Sequence, residues 1–403
     1  MNTSSVNEIR VKYKLFQNLL IVVILWLAFT ACSNPQSDHA WYTQSPDSST
    51  NILFNSVEID TLILEDVSSS LEGKIFIKNE ELHFFDYRFG WLYTFDENGA
   101  LLDRKLGLGN GPSELPAGNI AFHTQTDANG QVFIGTSFDF YTFDADLERT
   151  YTGRINWKQD KPLDYLANNP TPEDQRSYDL AYGVTEIKSY GETVYLPLMG
   201  AFPGDSEFNF STDLFAEEAR ILALMNKKTG EVTEITGRYP PELRNNSASR
   251  SFPLFFFDIS GEDELTFTFA TDSLIHVFTK DFEHKSSYGF AGRQMNKNYE
   301  IIPANLAHNA LGEWMMDQME EKDIYTSVVY IKETGLVFRS YVLNASDTYD
   351  GMQIYRDNVL IGDVSVPKGM RIAGYKAPWY YGNMIPAYTE LQKTVHRFQL
   401  DFN

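Results

Sequence analysis

The chain has 403 residues, with 33 Lys and Arg against 55 Asp and Glu, giving a formal net charge of −22 at neutral pH. So acidic a surface repels phosphate backbones, and no basic cluster with interleaved aromatics offsets it, which argues against nucleic acid as a partner. Aromatic residues form 14% of the chain, with 29 Phe and 23 Tyr, and flat rings pack well across pleated β surfaces.

Residues 1–31 carry the parts of an export signal. Arg10, Lys12 and Lys14 form a basic stretch, an apolar run follows from Leu19 to Phe29, and small Ala31 precedes the only cysteine, Cys32. The apolar run is shorter than the about 20 residues a stable span needs, so removal is expected rather than retention as a signal anchor. A cysteine after a small residue resembles the lipobox of bacterial lipoproteins, in which the thiol is diacylated and becomes the first residue of the mature chain. Phe29 stands where leucine is usual. The resemblance implies lipid attachment at Cys32 and a membrane held through that anchor, because several acyl chains on one cysteine supply the multiple signals stable anchoring requires. Without residues 1–31 the chain keeps 30 Lys and Arg against 54 Asp and Glu, a formal charge of −24. No thiol then remains for a disulfide, so packing alone must hold the fold.

Residues 32–51 bear Ser, Asn, Gln and Pro with little apolar content and read as a flexible tether. The folded body is expected over residues 52–403. Val57 to Leu64 alternates strongly and precedes the first full repeat, so it is expected to supply a strand to the last repeat and close a ring.

Internal repetition decides the fold. An apolar strand followed by a polar turn recurs six times, at Leu92–Gly99, Phe140–Leu147, Ile221–Gly230, Ile275–Asp281, Val328–Gly335 and Val395–Gln399. Phe95, Phe143, Met225, Phe278, Ile331 and Phe398 are the equivalent apolar positions, and three of the five intervals between them lie near about 50 residues, the length of a four-stranded propeller blade. The expected architecture is all-β, a six-bladed β-propeller of four-stranded antiparallel blades. Asn-Gly, Thr-Gly and Asp-bearing turns supply the positive φ that tight hairpins need. A single β-sandwich is the alternative, since regular strand spacing is common to both. One or two rim helices are expected, with Pro303 to Lys322 the leading candidate between the fourth and fifth blades.

After the strand Leu101 to Leu106 comes Gly107-Leu108-Gly109-Asn110-Gly111-Pro112-Ser113-Glu114, a rigid turn in which Pro112 fixes φ and the Glu114 carboxylate can gather free backbone amides. It lacks the Gly-Lys-Ser/Thr ending of a phosphate cradle. Gly109, Gly111, Pro112 and Glu114 resemble the Gly-x-Gly-Pro-x-Glu signature of six-bladed β-propeller lipoproteins from Bacteroidota. Tyr325 to Val342 and Val359 to Tyr381 are similar to the family called domain of unknown function 4221. This resemblance implies the propeller fold and a place in the cell envelope, and it transfers no activity or site residues.

No catalytic residue, metal site or cofactor is assigned. The histidines are scattered without a His-Glu-x-x-His pair, Asp residues fall mostly in turns, and no Gly-x-Ser-x-Gly elbow marks a nucleophile. His276 and His396 occupy corresponding strand positions in two repeats, which favours packing. Phe202, Phe208 and Phe210, in the long interval between the second and third repeats, are candidate ligand contacts, with self-packing of the insertion as the competing role. The expectation is therefore an outer-membrane lipoprotein serving as a non-catalytic binding or assembly module for an envelope protein or a glycan. A metal-dependent, lactonase-like hydrolase or lyase with its site in the channel is the alternative. Only Asp38 follows Cys32 before Asp47, so an acidic surface-export tag is lacking and the periplasmic face is preferred.

Overall fold

The computed structural model describes residues 41–402 except residues 66, 71, 117–119, 127–129, 182–184, 201–207, 210, 261–263, 304–305, 307 and 387–392. Cys32 and the signal segment lie outside the described residues, as do Phe202 and Phe210.

Short alternating segments punctuated by turns form strands almost throughout. β1 (Ser49–Phe54) and β2 (Asp60–Leu64) precede the first complete sheet, which holds β3 (Gly73–Lys78), β4 (Glu81–Asp86), β5 (Trp91–Phe95) and β6 (Leu101–Leu106). The second contains β7 (Ile120–Gln125), β8 (Gln131–Gly135), β9 (Asp139–Phe143) and β10 (Arg149–Arg154). In the third, β11 (Tyr178–Leu180) and β12 (Lys188–Tyr190) both pair with β13 (Thr193–Gly200), followed by β14 (Leu222–Asn226) and β15 (Val232–Thr236). The fourth is β16 (Phe255–Ser260), β17 (Glu264–Phe269), β18 (Ile275–Thr279) and β19 (His284–Tyr288). The fifth runs from β20 (Tyr325–Ile331) through β21 (Leu336–Tyr341) and β22 (Tyr349–Arg356) to β23 (Val359–Pro367), and β24 (Ile372–Lys376), β25 (Trp379–Pro386) and β26 (Lys393–Phe398) belong to the sixth.

Six antiparallel sheets in sequence make six blades, and β2 completes the last by pairing with β26, from Asp60 opposite Arg397 to Leu64 opposite Lys393. The chain's two ends thus close the ring, and the side chain of Arg397 bonds the Asp60 carboxylate at 2.7 Å. This is the closure that the alternation of Val57 to Leu64 suggests.

In the first five blades the hairpin between third and fourth strands carries a register shift at Phe95, Phe143, Met225, Phe278 and Tyr355. Each turn then includes a residue at positive φ, namely Gly99, Leu147, Gly230, Phe282 and Asn358. Asp96 Oδ1 accepts from the amides of Asn98 and Ala100, and Asp144 Oδ1 does the same for Asp146 and Glu148. The repeat is therefore a bulged hairpin with a side-chain acceptor at its first corner. One repeat position needs correction: Ile331 lies on β20, the first strand of its blade, and the equivalent of Phe95 there is Tyr355 on β22. Val328 to Gly335 is also a strand followed by a tight turn, so local pattern alone does not separate the two hairpins.

The core consists of seams between neighbouring blades. Phe76, Phe85 and Leu92 of the first pack on Phe133, Tyr141 and Phe143 of the second. Leu62, Tyr381 and Val395 of the sixth pack on Ile75, Phe84 and Tyr93 of the first. Phe338, Met352 and Ile354 of the fifth meet Ile372, Tyr380 and Phe398 of the sixth.

The described α-helices are α1 (Leu163–Asn168), α2 (Asp213–Glu218), α3 (Pro241–Asn245) and α4 (His308–Glu321). The first three are short pieces of the connections around the third blade. α4 lies between β19 and β20, where the sequence places its rim helix, although Met319 is exposed and Gln318 is buried on the packed side.

Residues 44–403 form one body, so it begins earlier than residue 52. β1 pairs in parallel with β23 as a fifth strand of the fifth blade, and Asp47 N donates to Ser287 O at 2.9 Å. Backbone hydrogen bonds, which composition does not reveal, tie down a segment that reads as tether. Ile52 and Leu53 remain exposed on that edge.

Candidate functional site

The innermost strands of all six blades, β3, β7, β12, β16, β20 and β24, surround a central cavity of about 590 Å³. Its wall mixes half-buried apolar groups, among them Ile77, Phe256, Val329 and Tyr330, with five charged side chains. Lys74 comes from the first blade, Glu186 and Lys188 from the third, Asp258 from the fourth and Arg371 from the start of the sixth.

Four of these form a chain. Lys74 Nζ lies 2.7 Å from Glu186 Oε2, Lys188 Nζ is 3.4 Å from that same oxygen and 3.0 Å from Asp258 Oδ1, and Asp258 Oδ2 accepts from Tyr330 N at 2.8 Å. Taking a charge out of water is costly unless it is partnered, which favours the pairing. Burial alone would raise the Glu186 pKa, but Lys74 and Lys188 outweigh it and bring it to about 2. Burial pulls Lys74 down, aided by Lys188 and opposed by Glu186. For Lys188 burial is outweighed by Asp258 and Glu186, and its pKa rises.

Arg371 differs. Its guanidinium has no hydrogen bond or ion pair among the described residues, and its side chain is exposed to the lumen. Protein nevertheless surrounds the lumen closely enough that burial lowers its pKa, against the charges of Glu186 and Asp350. Its backbone is fixed, since Arg371 N donates to Asn383 Oδ1 at 2.9 Å and Asn383 Nδ2 donates to Gly369 O at 3.0 Å. With three cations and two carboxylates, the channel keeps one positive charge inside a strongly acidic protein.

Two carboxylates engaged with lysines do not make a metal centre. Among the described residues no group of three or more His, Cys, Asp or Glu is placed to hold a metal ion.

The glycine-proline turn is structural in its contacts. Glu114 Oε2 accepts from Gly111 N at 2.8 Å, and a Cβ on Gly109 would stand 2.0 Å from that oxygen, so only glycine fits beneath the carboxylate. The turn also fastens the first blade to the second: Arg149 N donates to Pro112 O at 2.9 Å, and Ser113 Oγ lies 2.7 Å from Glu148 Oε1. Among the described contacts Glu114 holds one amide, that of Gly111, where its sequence suggests several.

Phe208 is buried, with its ring 5.8 Å from Tyr178 and 5.2 Å from Phe215. That places it in the self-packing role rather than at the channel.

Sequence inspection missed a buried relay on the fourth blade. Gln44 N donates to His284 Nδ1 at 3.1 Å, which leaves Nε2 of the neutral ring as the donor to Ser287 Oγ at 2.8 Å. Ser287 then donates to His276 Nδ1 at 2.7 Å, and His276 Nε2 to Asp272 Oδ2 at 3.0 Å. Ser287, His276 and Asp272 have the order of a nucleophilic triad, yet each is no more than 5% exposed, and the Ser287 hydroxyl is held between two imidazoles. No substrate reaches that oxygen, so the relay fastens the segment at Gln44. The repeated position of His276 and His396 marks third strands, and the role of His276 there is structural, through its two hydrogen bonds in the relay.

A closed ring of six blades, each built on four antiparallel strands, around a lined channel defines the protein as a six-bladed β-propeller. No protein-family model matches the sequence, and no curated protein matches it. Among solved structures, a member of the DUF4221 family from Bacteroides vulgatus is similar with a TM-score of 0.57 and 15% identity, covering 85% of this chain and 97% of that one. A candidate exported protein of Bacteroides fragilis gives a TM-score of 0.47 and 11% identity, covering 88% of this chain and 99% of that one. The likeness to the DUF4221 member is one of fold. Among the described residues no helix is long and apolar enough to cross a membrane.

Proposed function

We propose that this chain is a lipoprotein, anchored through Cys32 on the periplasmic side of the outer membrane, that acts as a non-catalytic binding module. The observation that carries the reading is the channel. Its volume is that of a small-molecule site, and its carboxylates are paired with lysines instead of converging with further oxygens on the axis. A lactonase-like hydrolase needs such a convergent oxygen set for its divalent ion.

Radiolabelled palmitate fed to expressing cells is expected to label the protein, and C32A to abolish the label. Protease added to intact cells should leave the protein whole; its removal would place it on the cell surface. Lactone and glycan panels, with and without EDTA, test the absence of turnover. EDTA-sensitive turnover by the purified protein would replace the binding reading with the metal-dependent one.

A further inference from the structure

The charge arrangement of the channel names a ligand class, on the premise that the protein is a binding module. Four of its five charged side chains satisfy one another through the series Lys74, Glu186, Lys188, Asp258. The fifth, Arg371, has a fixed backbone, a guanidinium open to the lumen and no partner among the described residues. A guanidinium presents a planar fork of donors that matches a carboxylate in two parallel hydrogen bonds, and such pairs strengthen where the surroundings exclude water. On the neighbouring innermost strand β20, Ser327 lines the channel with a buried Oγ that has no hydrogen-bond partner.

The remaining wall is apolar and aromatic, with Ile77, Phe256, Val329 and Tyr330 half-buried along it. One excess positive charge matches one negative charge. A dianion would overbalance it and meet Glu186, whose charge already acts on Arg371. A cation would face three resident cations.

We propose that the channel binds a small organic monocarboxylate, its carboxylate paired with the Arg371 guanidinium and its apolar body against the wall formed by Phe256, Val329 and Tyr330. Binding is reversible and no bond is broken.

The test uses the full-length lipoprotein in detergent and four probes with the same phenyl group: 3-phenylpropanoate, 3-phenylpropanamide, 3-phenylpropylamine and phenyl phosphate. Equilibrium dialysis is expected to give at least tenfold tighter binding of the propanoate than of the other three. R371Q should abolish that preference while leaving weak amide binding in place, and R371K, which keeps the charge but loses the fork, should retain part of it. Unchanged thermal unfolding certifies the fold of each variant; if R371Q does not fold, R371K alone carries the comparison, and an undiminished preference in R371K then overturns the proposal. Propanoate bound no tighter than the amide, or a preference that survives both substitutions, overturns the proposal. The premise fails by a different readout, the EDTA-sensitive turnover described above, which none of these dialysis measurements registers.

Discussion

Lys74 of the first blade bonds Glu186 of the third at 2.7 Å, so an ion pair bypasses the second blade and braces the ring across its channel. The residues are 112 positions apart in the chain. Each blade otherwise packs on its immediate neighbours, as in other repeat architectures, and a contact across the lumen adds coupling that the seams do not provide.

E186Q removes the carboxylate charge shared by Lys74 and Lys188, keeping only a neutral amide oxygen to accept from them, and leaves the lumen with more unbalanced positive charge. Because Glu186 is half-exposed, the loss should be on the order of 1 kcal/mol, read as a lower urea midpoint. An unchanged midpoint would show that solvent replaces the carboxylate at no cost.

The Gly109 site gives a double-mutant test. G109A forces the Glu114 carboxylate off Gly111 N and should cost about 1–3 kcal/mol. E114A frees the space the new Cβ needs, so G109A/E114A should be less destabilised than the two single losses together by about 1 kcal/mol. Strict additivity in denaturant unfolding would contradict the steric account.

Acid sensitivity follows from three histidines held neutral by burial. His123, ringed by Phe76, Phe85 and Phe133, is pulled down to about 3, and His83 and His284 to about 4, from an ordinary 6.5. A base with a depressed folded pKa lets the unfolded chain bind protons first. Stability should therefore be full above about pH 6.5 and fall as pH drops from there toward 4 and then 3. H123F/Q131L, which removes one such base together with its 2.7 Å partner, should flatten the urea midpoint against pH over that window. A midpoint with the same slope as the parent would exclude His123 as a contributor.

S287A interrupts the relay and strands nitrogens of His276 and His284 without their shared hydroxyl. Loss of about 2 kcal/mol is expected, within the range for unsatisfied buried groups. Hydrogen exchange at the Gln44 amide should quicken, since His284 loses the bond that orients its ring. Exchange equal to that of the parent would mean that Gln44 is held by other contacts.

Neighbouring residues carried most of the fold. Asp96 through Gly99 encode a bulged hairpin because acceptor, turn and positive φ all fall within a few positions. The same holds for the carboxylate over glycine at Gly109 to Glu114, and for the alternation that marks β2 as a pairing strand. Where two hairpins of one blade offer the same local chemistry, as at Ile331 and Tyr355, sequence placed the repeat on the wrong strand. β1 escaped notice because its apolar run is brief and its docking rests on backbone groups that every residue has.

The channel had no comparable signal. Glu186 and Lys188, two positions apart where the chain enters β12, are the one local hint; Lys74, Asp258 and Arg371 come from other blades and join them only when the ring closes. Sequence alone determined a chain of repeated bulged hairpins with a closing strand, since turn and strand energies are set over a few residues. Tertiary structure decided which charges meet and that Arg371 has no partner among the described residues, because pairing across a lumen depends on distances fixed by the whole ring.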